Sequence, residues 1–95
     1  MKKLTIVRFK PKPKHFDAFV QELKQASKAP DRTAILNSFV MTKDDEVFSI
    51  VIRHADKLEE DAKRGVQTLD GMRHMLQEYN ELDRHTIPLT GDLVE

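Results

Sequence analysis

The side chains of this chain best suited to chemistry are an asparagine and an arginine set in apolar runs, one tyrosine and four histidines. Asn37 interrupts "TAILNSFVMT" and Arg53 interrupts "EVFSIVIRH". A buried guanidinium needs a counter-charge. A ligand carboxylate, phenolate or carbonyl can supply one; so can an internal ion pair, or the arginine can reach water at the strand end. Tyr79 falls on the apolar side of a helical pattern, where its hydroxyl needs a hydrogen-bond partner if buried. Asn37, Arg53 and Tyr79 are therefore the candidates for lining a ligand pocket, and catalytic residues remain unassigned. The histidines, His15, His54, His74 and His85, show no H-x-x-x-H or equivalent spacing, so no metal site is expected. No cysteine is present, which removes disulfides, thiolate nucleophiles and thiol-ligated metals together. The three glycines are far apart and form no phosphate loop, and there is no G-x-S-x-G elbow. No cofactor is expected.

The bulk composition narrows the partners. Sixteen basic residues balance sixteen acidic ones, so no net field draws in nucleic acid or an anionic membrane. Ninety-five residues make a single domain, 1–95, near the lower end of what buries an adequate core alone. The start "MKKLTIVRFKPKPKHF" mimics a leader, but Arg8 and Lys10 break its apolar run well short of a signal core or a membrane span. A cytoplasmic protein is the expectation.

The elements that must position these side chains follow from periodicity. "LTIVRF" (4–9) is β-branched and aromatic, and "KPKPK" ends it because proline cannot continue a ladder. From Lys14, Phe16, Phe19, Val20, Leu23 and Ala26 recur at helical steps, and "SKAPDR" stops that helix with Pro30. The two runs carrying Asn37 and Arg53 flank "KDD" and predict a β-hairpin. A turn centred on Asp44 pairs Val40 with Phe48 on one face. The other face then pairs Met41 with Val47, Phe39 with Ser49, Asn37 with Val51 and Ile35 with Arg53. A slip of one residue would exchange the faces.

A second helical region starts at Asp56, the expected N-cap. Leu58, Ala62, Val66, Leu69, Met72, Met75, Leu76, Tyr79 and Leu82 form its apolar side. Gly65 and Gly71 each cost about 1 kcal/mol relative to alanine and predict a break near one of them. Its charged stretch "DKLEEDAKR" pairs Glu59 with Lys63 and Asp61 with Arg64, the pattern of a solvated face. "NELDR" turns the chain, and "HTIPLTGDLVE" alternates as a final strand, with Pro88 or Gly91 at a bulge or bend.

The order β-α-β-β-α-β predicts an α+β, ferredoxin-like fold: a four-stranded antiparallel sheet with both helices on one face. The hairpin strands are apolar at both parities, as in strands covered on both sides. Two helices cover one face, and a second copy of the chain is the expected cover for the other. Ferredoxin-like domains also bind RNA, through strand aromatics and a basic surface. Phe9 and Phe48 alone, with no net charge, do not meet that requirement.

"TIVRFKPKPKHFDAFVQEL", the hairpin, the long helical region and the terminal "LVE" together resemble the dimeric α/β-barrel superfamily, in its branch similar to antibiotic-biosynthesis monooxygenases. The resemblance covers essentially the whole chain and implies two protomers packed sheet against sheet, with the terminal strand helping to close the dimer. It also implies, for the enzymes among them, a pocket using a strand asparagine, a tryptophan and a helix histidine. This chain has no tryptophan, and Arg8 stands on the first strand where the asparagine would be wanted. His74, the one candidate histidine, lies about 200° around the helix from Met72 and should face solvent, so haem breakdown is not expected. Two functional readings stand. One is a homodimer binding a small, partly apolar molecule, with monooxygenase-like chemistry open to it. The other is a non-catalytic dimeric module in stress response or protein interaction.

Overall fold

The computed structural model describes residues 1–30, 32–82 and 84–95; Asp31 and Asp83, in the two turns read from sequence, lie outside the described residues. Strand β1 (Lys2–Phe9) leads through a 3-10 turn (Pro13–His15) into helix α1 (Phe16–Ser27). The hairpin strands β2 (Ile35–Lys43) and β3 (Glu46–His54) follow, then a 3-10 turn (Ala55–Lys57) and helix α2 (Leu58–Asp70). A further 3-10 turn (Arg73–Met75) precedes β4 (Ile87–Asp92). The sheet order is β2-β3-β1-β4, with every neighbouring pair antiparallel. This is the ferredoxin-like arrangement that the order of elements predicts.

The hairpin register corrects the expected one. Asp44 and Asp45 alone form the turn, and Asp44 takes φ 55°, a left-handed conformation that aspartate tolerates. Phe39 therefore pairs with Ile50, Met41 with Phe48 and Asn37 with Ile52. The turn is one residue shorter than a turn centred on Asp44, and one residue moves every β2 side chain to the opposite face. A bulge between Ile35 and Asn37 restores the expected Ile35–Arg53 pair. By strand alternation, Val47, Ser49, Val51 and Arg53 face the helices, while Phe48, Ile50 and Ile52 face the open side with Asn37, Phe39 and Met41. The expected grouping of Phe39 with Val47 on one face, and of Asn37 with Arg53, is thus overturned.

The core lies between the helices and the sheet. Phe9, Phe19, Leu23, Val47, Met72, Met75 and Leu76 form it, with the Phe9 and Phe19 rings 5.0 Å apart and tilted by 57°. Helix α1 buries Phe19 and Leu23, as its apolar stripe requires. Helix α2 starts later than expected: Lys57, not Asp56, stands at its N-cap, without a capping side chain. It ends at Gly71, one of the two glycines foreseen as a break. The 3-10 turn beyond turns Met72 and Met75 into the core, whereas Leu82, assigned to the helix's apolar side, is exposed.

Strand β4 pairs with β1 in unbroken register from Ile87 opposite Arg8 to Asp92 opposite Lys3. Pro88 and Gly91 therefore mark no bulge, contrary to the expectation. An edge strand accommodates proline because its outward N–H has no ladder partner to lose. No helix among the described residues is long and apolar enough to cross a membrane.

Candidate functional site

A cavity of about 290 Å³ lies on the helix side of the sheet. Its floor is the inward face of β1 and β3, with Val7, Ser49 and Val51 at the centre. Its roof is α2, where Ala62, Gly65 and Leu69 recur at three- and four-residue steps. Pro88 and Thr90 of β4 form one wall. The cavity is predominantly apolar with a few convergent polar groups, the usual make-up of a small-molecule pocket, although its volume is at the lower end of the usual range.

The polar groups converge at one end. Arg53, only 7% exposed, donates from Nη1 to Asp61 Oδ2 at 2.9 Å and from Nη2 to Thr5 Oγ1 at 2.7 Å. Arg32 grips the same carboxylate as a fork, Nε to Oδ1 at 2.7 Å and Nη2 to Oδ2 at 2.8 Å. Thr5 Oγ1 lies 2.9 Å from Thr90 Oγ1. Asp61 is 2% exposed. Burial by itself would raise its pKa, but the hydrogen bonds and charges of Arg32 and Arg53 outweigh that and hold it below the ordinary carboxylate value. Asp61 is thus an anion locked between two cations, unavailable as a proton acceptor. Arg53 Nε is buried with no hydrogen-bond partner among the described residues.

The three sequence candidates do not come together. Arg53 lines the cavity, with the internal ion pair that was the alternative to a ligand. Asn37 is exposed on the open face, where its Oδ1 accepts from the Ser38 backbone N–H at 2.9 Å. Tyr79 is half-buried at the end of the open face, donating to Glu46 Oε1 at 2.6 Å. Arg8 donates to both Glu46 oxygens, at 2.9 and 3.0 Å, and its guanidinium sits 5.8 Å from the ring centroids of Phe48 and Tyr79. The hydrogen bonds from Tyr79 and Arg8 lower the Glu46 pKa; burial and the Glu46 carboxylate push the Tyr79 hydroxyl well above its ordinary value. His74 is exposed, its ring 6.1 Å from that of His15. His85 is buried, and Arg73 Nη1 donates to its Nδ1 at 3.1 Å. Among the described residues no cluster of three or more His, Cys, Asp or Glu side chains could hold a metal ion.

Asp61 and Arg32 are the residues that sequence reasoning missed. The pairing of Asp61 with Arg64 on a solvated face is overturned by its burial. A signal was there: Asp61 lies three residues after Leu58, about 60° from it around the helix, and so falls on the apolar stripe. An acid on a buried helical stripe and an arginine on an inward strand position call for each other.

No protein-family model matches the sequence, and no curated protein matches it. Solved structures do match its fold. Rv0793 from Mycobacterium tuberculosis superposes with a TM-score of 0.71 at 14% identity, over 100% of this chain and 97% of that one. A structure described as an antibiotic biosynthesis monooxygenase gives 0.72 at 12% identity, over all of both chains. A variant of SnoaB, a cofactor-independent oxygenase from Streptomyces nogalater, gives 0.65 at 9% identity, over 99% and 94%. At these identities the likeness is one of fold: the ferredoxin-like fold of antibiotic biosynthesis monooxygenase-like proteins.

Proposed function

We propose that this chain, which shares its fold with those monooxygenase-like structures, binds a small, partly apolar molecule in the helix-side cavity and works as a homodimer. The observation that carries the binding reading is the cavity itself, predominantly apolar with a buried arginine at one end. A partly open, mostly apolar recess of this kind offers packing contacts to a small ligand with an apolar body. Binding rather than turnover is the activity proposed. The side chains lining the cavity include no imidazole, and Asp61 is held as a locked anion. His74, the one residue of this chain that the resemblance would enlist for oxygenase chemistry, stands outside the cavity, as does Asn37.

The dimer reading rests on the open face. Leu89, Ile6, Ile50 and Phe39 form one apolar row across all four strands, and Phe39 and Leu89 are 52% and 70% exposed. A second copy laid sheet against sheet covers this row, and a standard interface of this kind buries about 1,200 Å² or more in total.

Titration of the wild type with 1-naphthamide and 1-naphthoate tests the pocket. At least one should bind saturably, and Ser49→Leu, which fills the cavity from its floor, should abolish that binding. Binding unaffected by Ser49→Leu would place the ligand elsewhere and remove the reading.

A further inference from the structure

At the end of the cavity, among the described residues, two guanidiniums are ion-paired with one carboxylate. Arg32 and Arg53 both pair with Asp61, the one carboxylate they share among the described residues. Lys3, cross-strand from Arg53, is tied to Asp92 and adds no spare anion. Taken together, buried Arg53 and Asp61 and partly buried Arg32 carry one net positive charge. Arginine has five N–H donors; Arg53 uses one on Asp61 and one on Thr5, and its buried Nε has no partner among the described residues. Leaving a charged donor desolvated and unpaired is costly, and an internal ion pair alone does not explain why two guanidiniums converge on one acid.

We infer that the cavity takes a monoanionic carboxylate with an apolar body, its acid group hydrogen-bonded by Arg53 and its body held between α2 and the sheet. This rests on the pocket reading above and names its ligand class. The geometry suits a carboxylate, a planar group whose two oxygens match the planar edge of a guanidinium. The hydroxyl of Thr5, bonded to Arg53 and close to Thr90, lines the same end. Arg53 Nε is covered, so a small turn of the guanidinium accompanies entry of the acid. Val7, Val51, Ala62 and Leu69 line the apolar remainder, and a dianion or a sugar phosphate would leave charge unpaired against them.

The test compares 1-naphthoate with its neutral isostere 1-naphthamide on the wild-type protein by calorimetric titration at neutral pH. A charge-assisted hydrogen bond in a buried site predicts that the acid binds at least about tenfold more tightly than the amide. Arg53→Met, which leaves Asp61 paired with Arg32, should bring the two affinities within about threefold of each other, whereas Arg53→Lys should keep part of the preference. Equal affinity of acid and amide for the wild type overturns the inference and leaves the pocket standing. Failure of both to bind overturns the pocket and the inference together. The wild-type comparison decides the matter even if Arg53→Met does not fold. A preference for the acid that survives unchanged in folded Arg53→Met also overturns it.

Discussion

The two faces of this sheet are both apolar at the centre, and they differ in where charge is kept. On the helix side, Arg53 and Asp61 are buried beneath α2 and meet Arg32 at the end of the cavity. On the open side, the central row is apolar, and the nearest ion pair, Arg8 with Glu46, sits at one end and is partly exposed. A buried charge can act on a ligand strongly because water does not compete with it, but it must be pinned to persist. An open apolar row offers area and shape but no directed bond. In the function proposed above, the first arrangement would select a small molecule by its chemistry; the second suits a partner that covers a surface.

Substitutions on the two faces should separate these roles. The largest effect is expected at Val47, which is 0% exposed in the core. Val47→Asp buries an unpaired carboxylate at a cost of several kcal/mol, comparable to the whole stability of a small domain, and circular dichroism should show no cooperative melt. Phe39→Asp, on the open face, should instead stay folded and sediment as a single 11.0 kDa chain, and the wild type should sediment at twice that mass. Unfolding of Phe39→Asp, or its persistence as a dimer, would break the contrast between the faces.

Next in size is Asp61→Ala. It strands buried Arg53 and partly buried Arg32, and removing one partner of a buried ionic cluster costs about 3 kcal/mol or more, readable by urea denaturation. A loss below about 1 kcal/mol would show that water reaches the cluster. The same carboxylate sets an acid limb in the stability profile. Its pKa in the fold lies below the ordinary 3.8, so the unfolded chain takes up the proton first as pH falls. Its contribution is therefore complete above that value and is lost as pH drops through the folded pKa. In Asp61→Ala, stability should fall less steeply with pH below 3.8 than in the wild type; equal slopes would assign the limb to other carboxylates.

The smallest effect is expected at Gly65, in the middle of α2. An added methyl would meet nothing closer than Arg32 Nη2 at 3.9 Å. Gly65→Ala should therefore gain about 0.5–1 kcal/mol from helix propensity in the same denaturation experiment. Destabilisation there would mean that the roof of the cavity cannot spare the space.

The elements were legible in the sequence because each has a distinct pattern: Phe16, Phe19 and Leu23 at helical steps, and the apolar run "VFSIVI" set across a charged turn from a second strand-like run. The faces of β2 were not, because they hang on one residue of turn length and one bulge, and neither leaves a periodic trace. Asn37 was drawn to Arg53 by that one-residue error. Arg53 stood out as a charge in an apolar strand, but the face it occupies was not legible, because that strand is apolar at both parities. Its partners were not read because Asp61 has Arg64 three residues on, a sufficient surface explanation, and because Arg32 lies in a turn with no period at all. Tyr79 was assigned to a helix that Gly71 ends, which is why it reaches Glu46 on the open side instead of the core.

Methyl-detected NMR of the wild-type protein titrated with 1-naphthoate tests the division between the two faces most directly. The methyl signals of Val7, Val51, Ala62 and Leu69, all lining the cavity, should shift saturably together. Those of Ile6 and Ile50 on the open row should stay within the spread of residues remote from both faces. Shifts concentrated on Ile6 and Ile50, with the cavity methyls unmoved, would contradict the account.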